Sequence, residues 1–449
     1  MLCLGLQQNG KSVKVLEARS RLGGRMYGTT AGNDTAWMDH GGQWVGPTQY
    51  KMLDLLQEFR IKTFDYAHGY TRMEYNGKHD DYKGDMYFAM LPDDKAGESP
   101  TGIASPDEIE VARQAWSKIE EIIGGFNEGD RPFDHKDAMR LDSITMYSWL
   151  QDNTKTDYAK FFFKTAAATL GPIGQGHVST ISILHFAWSQ FMSPQSEMPE
   201  SFLIHGGAGQ VPGILAEEIG HHNVELNQDV VHVSRKNGMV HAKTSQGKRF
   251  HSQALIMAVP PAVASGVVYD PPLSAQRNQL MQRFPMGTIA KILVAYPEKY
   301  WYQNDVVMCV SDNAKYVEFT ADASDPTKTT GVVAAFIQGS NYFEWAKLSE
   351  KDQKGAVLAD LEHLYGKSEM LNATEVVVAD WPRDQYSGGG YAGAVPPGVW
   401  TQYGPGLLNT EWDGYLDFAG TEYATKWAGF FEGAALSADA VVERVMLLK

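Results

Sequence analysis

Apolar positions along the chain change their period several times, and those changes mark the elements. SVKVL (Ser12–Leu16) is a short strand-type run, closed by Glu17 and followed by the Gly23-Gly24 turn. Residues 51–60 place Met52, Leu55, Leu56 and Phe59 three or four apart, the spacing of one helix face. Residues 68–104 are polar, loop-rich and aromatic, and helical stretches are predicted over 106–125 and 141–170, joined by the polar run Asn127–Lys136. The segment SFLIHGGAGQVPGILAEEIG (201–220) reads as strand, glycine turn and helix. Strand-like pieces at 223–234 and 239–244 flank the turn Lys236-Asn237-Gly238, and LIMAVPP (255–261) is an apolar strand stopped by Pro260-Pro261. TIAKILVAY (288–296) and GVVAAFIQG (331–339) are continuous apolar runs of the kind buried on both faces. A glycine-rich loop, 387–398, precedes a strand reaching Gly420 and a helix from about Phe430. This alternation predicts an α/β architecture with long insertions.

Composition narrows the class. A chain of 449 residues, 43% hydrophobic and 21% charged, folds as two or three domain-sized units and is not a disordered polymer. Its net charge of −15 argues against nucleic acid as a partner. Cys3 and Cys309 are the only two cysteines, too few for a disulfide framework or a Cys-rich metal site, so a reducing compartment is expected. The opening MLCLGLQQNG lacks the basic start and long apolar run of a signal peptide, and no window of about 20 uninterrupted apolar residues predicts a membrane span. A cytoplasmic location is expected, with the peroxisome as the alternative.

Candidate chemistry begins at Glu17. A carboxylate at the tip of a strand can accept both ribose hydroxyl protons of an adenosine in a dinucleotide-binding unit. Behind it, Arg19, Gly23, Gly24 and Arg25 combine close backbone approach with guanidinium donors, a pairing suited to phosphate. The glycine fingerprint G-x-G-x-x-G belongs about 20 residues before such an acid. That place lies upstream of Met1, so the chain is expected to begin within the helix that the fingerprint opens. Gly207-Ala208-Gly209 has the wrong glycine spacing to replace it and reads as the start of a helix.

Six blocks then occur in order: VLEARSRLGGRM, DHGGQWVGPTQ (39–49), IHGGAGQVP (204–212), MGTIAKILVAY (286–296), WPRDQYSGGGYAGAVPPG (381–398) and FAGTEYATKWAGFFEGA (418–434). Together they make the chain resemble the flavin-containing monoamine oxidase family over essentially its whole length. The resemblance implies a Rossmann-like FAD-binding domain assembled from 1–66, 196–285 and 384–449. It also implies a substrate domain of mixed sheet plus helices from 67–195 and 286–383, the amine oxidase fold. The implied activity is FAD-dependent oxidation of a primary amine to an imine and aldehyde, with release of ammonia and, from oxygen, hydrogen peroxide.

Residue by residue, the resemblance assigns Lys291 to a lysine that holds a water at flavin N5. From its strand alone, Lys291 could equally be an edge lysine reaching to solvent, since a lysine is rarely buried unpaired. Tyr391 and Phe430 take the positions of two aromatic walls that steer the amine nitrogen, Phe430 standing where tyrosine is common. The position of the family's flavin-linking cysteine is Gly390, which has no nucleophile, so noncovalent FAD is expected. Trp381 takes a place beside the flavin ring. Backbone at Gly41, Gly42, Val230, Gly420 and Glu422 is implied to approach the cofactor, and the helix starting at Phe431 to aim its free N–H groups at flavin O2. The implied partners are a small amine and oxygen, with a homodimer as the expected assembly and no metal, nucleic acid or membrane. An L-amino-acid or polyamine oxidase is the alternative, the first needing an arginine for the carboxylate and the second acids along its cavity. A truncated or inactive non-enzymatic relative is the other. None of the thirteen histidines forms H-E-x-x-H or H-x-H, and no G-x-S-x-G elbow occurs.

Overall fold

The structure, a computed structural model, describes residues 1–31, 36–65, 69–83, 102–169, 180–194, 197 and 199–448. Parts of the polar 68–104 segment, and the last residue predicted for the 141–170 helix, lie outside the described residues.

The two apolar runs that were expected to be buried form adjacent inner strands, second and third, of a seven-stranded mixed sheet. Its order is Glu375–Asp380, Ile289–Tyr296, Gly331–Gln338, Phe319–Asp322, Val306–Ser311, Tyr70–Tyr75 and Lys78–Lys83. Every residue of Ile289–Tyr296 and of Gly331–Gln338 is buried, which explains why neither run alternates with polar positions. Antiparallel register sets Lys291 opposite Phe336 on one side and Ala379 on the other. Lys291 is therefore an inner-strand residue, 3% exposed, and cannot reach solvent at an edge. One face of the sheet packs against helices Pro106–Ile123, Asp157–Thr169 and Ile183–Met192, whose core includes Trp116, Phe162, Phe163 and Phe186.

Two departures from expectation have local causes. The stretch 141–170 is three helices, Ala138–Leu141, Met146–Asn153 and Asp157–Thr169. Thr145 restarts the second by accepting from Ser148 N at 3.0 Å, and extended backbone at Thr154 ends it. The loop-rich 68–104 segment contains the hairpin Tyr70–Tyr75/Lys78–Lys83, turned by Asn76 and Gly77, both with positive φ.

The remaining elements form smaller sheets. Val15–Leu16 pairs in parallel with Val224–Glu225, and Leu255–Met257 with Leu416–Phe418. Arg249–Ser252, Met239–Thr244, Val230–Lys236 and Val268–Asp270 make a four-stranded sheet, whose Asn237-Gly238 turn is the predicted one. Leu2–Gln8 is helical and packs on Phe431–Met446, with Gly5 close to Val442. The second helix against Phe431–Met446 is Tyr50–Glu58, the predicted amphipathic one. That helix has no side-chain cap of its own. Instead the buried Glu432 carboxylate accepts from Lys51 N and Met52 N at 3.0 and 2.8 Å. Glu432→Ala should therefore cost about 2 kcal/mol, the upper range for a lost cap, read as a lowered midpoint in urea unfolding. Among the described residues no helix is long and apolar enough to cross a membrane, and no group of three or more His, Cys, Asp or Glu could hold a metal.

Candidate active site

Lys291 is the centre of the site. Its strand is buried on both faces, so the ammonium must find partners inside the protein or lose its proton. Nζ donates to Gly41 O at 2.9 Å and to Gln43 Oε1, both neutral acceptors. Trp44 and Phe336 place their rings 5.6 and 5.7 Å from Nζ. Burial pulls the lysine down to about 7, against the weaker pull of Asp39 and Glu200 in the other direction. Gln43 is 1% exposed and its Nε2 has no hydrogen-bond partner among the described residues. A buried amide donor in that state needs an acceptor that the described residues do not provide.

Asp39 ties the Gly41–Gln43 segment to the next element. Its carboxylate accepts from Ala208 N and Gly209 N at 3.0 Å each and from Trp37 Nε1 at 3.2 Å. The glycine turn before helix Val211–Ile219 thus spends its N–H groups on an internal carboxylate, which fits its reading as the start of a helix. Close by, His40 shares a hydrogen bond with Thr29 Oγ1 at 2.8 Å, and burial lowers it to about 4. Trp381 Nε1 donates to His40 O at 3.0 Å, which sets that indole beside the same turn.

Tyr391 sits across Phe336, edge to face with ring centres 6.4 Å apart, and Phe336 stacks on Phe319 at 4.2 Å. Burial, with help from Glu200 and Glu318, raises the Tyr391 phenol well above its usual value, so it stays protonated. Arg25 clamps the loop that carries Tyr391. It donates to Tyr391 O at 2.6 Å and forms a fork on Glu422 at 2.6 and 2.9 Å. Arg19 fastens the other end of that loop through Asp384 and through Ser387 Oγ at 2.8 Å. Glu17 accepts from Arg19 N at 2.8 Å and remains half-buried, as does Val230.

Close backbone approach explains several glycines. A side chain at Gly41 would strike Arg25 O, and one at Gly42 would come within 2.6 Å of the Phe431 ring. Gly23 and Gly24 turn the chain at φ +95° and +56°, and a Cβ at Gly24 would meet open space. Gly420 has φ +138° and leads into Glu422, which is 4% exposed. Phe430 lies edge-on to Trp427 at 5.5 Å and precedes helix Phe431–Met446, which has no side-chain cap. Its first N–H groups are therefore available to a negatively polarised ligand. At Gly390 an added Cβ would lie 3.2 Å from Ile289 and 3.9 Å from Trp381.

The structure thus groups Lys291, Gly41 and Gly42 with Trp381, and joins Tyr391, Arg25 and Glu422. Gln43, Trp44, Phe336 and Glu318 were not singled out from sequence. The first two stand inside the DHGGQWVGPTQ block, where the signal was available; the last two enter only through sheet register.

Residues 4–446 match the family described as flavin containing amine oxidoreductase, and the chain belongs to it. An L-amino acid dehydrogenase of Synechocystis sp. is 37% identical, over 97% of this chain and 90% of that one. Flavin-containing amine oxidase B of Sus scrofa is 29% identical, over 98% and 82%. Among solved structures, cyclohexylamine oxidase from Brevibacterium oxydans superposes with a TM-score of 0.87 at 24% identity, over 99% of this chain and 96% of that one. A putrescine oxidase bound to putrescine gives 0.87 at 22%, over 100% and 96%. The fold is that of the FAD-binding amine oxidases, and the protein is an oxidoreductase whose family implies FAD.

The residues present fit such a group. An uncapped helix start, the orphaned Gln43 amide, open space beside the positive-φ Gly24 and a half-buried strand-final Glu17 are what a flat, anionic, hydrogen-bonding cofactor needs.

Proposed function

We propose that the protein oxidises the carbon bearing a primary amino group, giving an imine that water converts to a carbonyl compound and ammonia. The observation that carries this reading is Lys291: a wholly buried lysine held on neutral acceptors, flanked by Trp44 and Phe336 and one ring removed from Tyr391. FAD held by these residues would supply a two-electron acceptor for the C–H bond beside nitrogen, with oxygen taking the two electrons and two protons as hydrogen peroxide. The chain's own residues bind, orient and exclude water. Glu17, Arg19, Gly23, Gly24, Arg25, Gly41, Gly42, Val230, Trp381, Gly420, Glu422 and Phe431 are assigned to holding the cofactor. Tyr391 and Phe430 are assigned to aligning the neutral amine between their rings. Above about pH 7 Lys291 Nζ is neutral, its two N–H bonds go to Gly41 O and Gln43 Oε1, and its lone pair is left to accept a hydrogen bond from a water.

The same reading divides the chain into a cofactor part (1–66, 196–285, 384–449) and a substrate part (67–195, 286–383). Its support is that all strands of the seven-stranded sheet come from the second set. The free thiols of Cys3 and Cys309 suit a cytoplasmic setting.

A second reading, an L-amino acid as substrate with an acceptor other than oxygen, is favoured by the 37% identical dehydrogenase. Against it, the arginines that touch the loops around the site are already committed. Arg19 is on Asp384, Arg25 on Glu422, and Arg131 on the carbonyls of Tyr423 and Ala424. Peroxide release and dye reduction, measured in parallel with primary amines and L-amino acids, separate the two. Dye reduction with amino acids alone would replace the first reading by the second. Gly390 adds a further expectation: acid precipitation should leave all the flavin in the supernatant, and yellow colour retained in the pellet would show a covalent link elsewhere.

A further inference from the structure

Gln43 belongs neither to the residues assigned to the cofactor nor to the two aromatic walls, yet it touches Lys291 directly. Its backbone is clamped on both sides. Gly41 N and Gly42 N donate to Tyr27 O and Arg25 O at 3.1 and 3.2 Å, and Trp44–Val45 pairs with Leu203 and Phe202. The amide is sealed from solvent: Oε1 accepts from Lys291 Nζ, and Nε2 has no partner among the described residues. A buried donor left unused carries its full desolvation cost. The two acceptors, Gly41 O and Gln43 Oε1, also fix the directions of two N–H bonds on Nζ. In the one direction that remains, a neutral amine presents its lone pair and an ammonium a third N–H. Because Oε1 and Nε2 share one carbon, the orphaned amide N–H lies within a single water's reach of that lone pair.

We propose that Gln43 is a positioning residue for the oxidation: its Oε1 turns the Lys291 lone pair to one side, and its Nε2 donates to the water from which that lone pair accepts. The inference rests on the amine-oxidising reading and deepens it, by making the orientation of the water a property of this chain. A water so held gives one O–H to Nζ and takes one N–H from Nε2. Its second O–H and second lone pair are left for the reacting centre. Only a neutral amide supplies both ends. A carboxylate at position 43 would hold Lys291 as an ammonium and bring no donor, and an apolar residue would leave Nζ one acceptor short. The other groups acting on Lys291 are Asp39 and Glu200, with His40 on the same turn as Gly41. Asp39 is spent on Ala208 N, Gly209 N and Trp37 Nε1. All three remain in every variant used in the test.

The test compares Gln43→Glu and Gln43→Leu with the parent, all loaded with FAD, using the primary amine or L-amino acid that the parent turns over fastest. Gln43→Leu should lower kcat about tenfold or more with KM kept within about twofold, because the amide meets Lys291 and the water rather than the substrate. The pH at which kcat rises should move up by about one unit or more in Gln43→Glu and down in Gln43→Leu. One variant adds a charge that holds the lysine's proton, and the other removes an acceptor. A merely structural residue would lower kcat in both and move neither midpoint. Midpoints that stay put or move in the same direction overturn the proposal, as does a loss carried by KM alone. The melting temperature, read without substrate, gives a second measure. Above about 7 the parent's unfolded chain binds one proton more than its folded form, whereas folded Gln43→Glu keeps that proton. The melting temperature of Gln43→Glu relative to the parent should therefore fall as the pH rises from about 7 to 9, and a flat difference overturns the proposal. Should Gln43→Leu fail to fold, the two Gln43→Glu readings decide alone. The melting trend in a protein that oxidises nothing keeps the hold of Gln43 on Lys291 and removes the oxidase reading. Oxidation whose pH dependence neither variant moves does the reverse.

Discussion

Lys291→Met should slow turnover by about 10²–10³-fold, the usual loss when one preorganised donor leaves a dry site. The same change should alter the pH dependence of stability, and the sign follows from burial. In the folded protein Lys291 holds its proton only below about 7, against an ordinary value of 10.5. Between those values the unfolded chain binds one proton more than the folded one, so the lysine's contribution to stability rises with pH there and is least favourable below 7. Methionine fills the same space with no charge to desolvate. The melting temperature of Lys291→Met, relative to the parent, should therefore be highest near pH 6 and decline steadily toward pH 10. A difference that stays flat with pH would mean that this lysine is not held neutral by burial. Gly41 O and Gln43 Oε1 lose a donor in the variant, so the trend with pH carries the argument rather than the absolute offset.

The second large effect is expected at Arg25. Its fork on Glu422 joins the Gly23-Gly24 turn to the loop before the last helix, and its bond to Tyr391 O joins both to the aromatic wall. Glu422 is nearly sealed, with a side chain 1% exposed against 25% for Arg25. Arg25→Ala leaves that carboxylate buried without a counter-charge, a change that costs about 3 kcal/mol. It should also loosen the Tyr391 loop, so the purified protein should carry less FAD per chain, read from absorbance, and melt lower. Adding Glu422→Gln should recover much of the stability, because a neutral amide tolerates the site, but not the flavin content if Arg25 also contacts the cofactor. Full recovery of both would reduce Arg25 to a structural partner of Glu422.

Much of this arrangement is legible in the sequence. The Lys291 strand, the 387–398 loop, the Gly420–Glu422 turn and the helix at Phe431 follow from apolar runs and glycine clusters, which are local signals. Register is not local. Nothing near Phe336 in the chain indicates that it stands opposite Lys291, and nothing near Glu318 indicates that a strand start, a helix residue at 164 and the Tyr391 loop converge around it. The depth of Lys291 also escaped: a single lysine in an apolar strand suits a sheet edge as well as an inner strand, and only pairing on both sides decides. Breaks within helices were hidden for a different reason. Thr145 is an ordinary helix residue by composition, and it restarts the helix where the Thr145–Ser182 bridge holds its backbone extended.

The most direct measurement is an anaerobic one. The purified protein, mixed without oxygen with primary amines and L-amino acids in turn, should lose its oxidised-flavin absorbance with at least one of them and regain it on admitting air. Colourless protein that takes up no FAD, or bound flavin that no amine or amino acid can bleach, would contradict the account at its root.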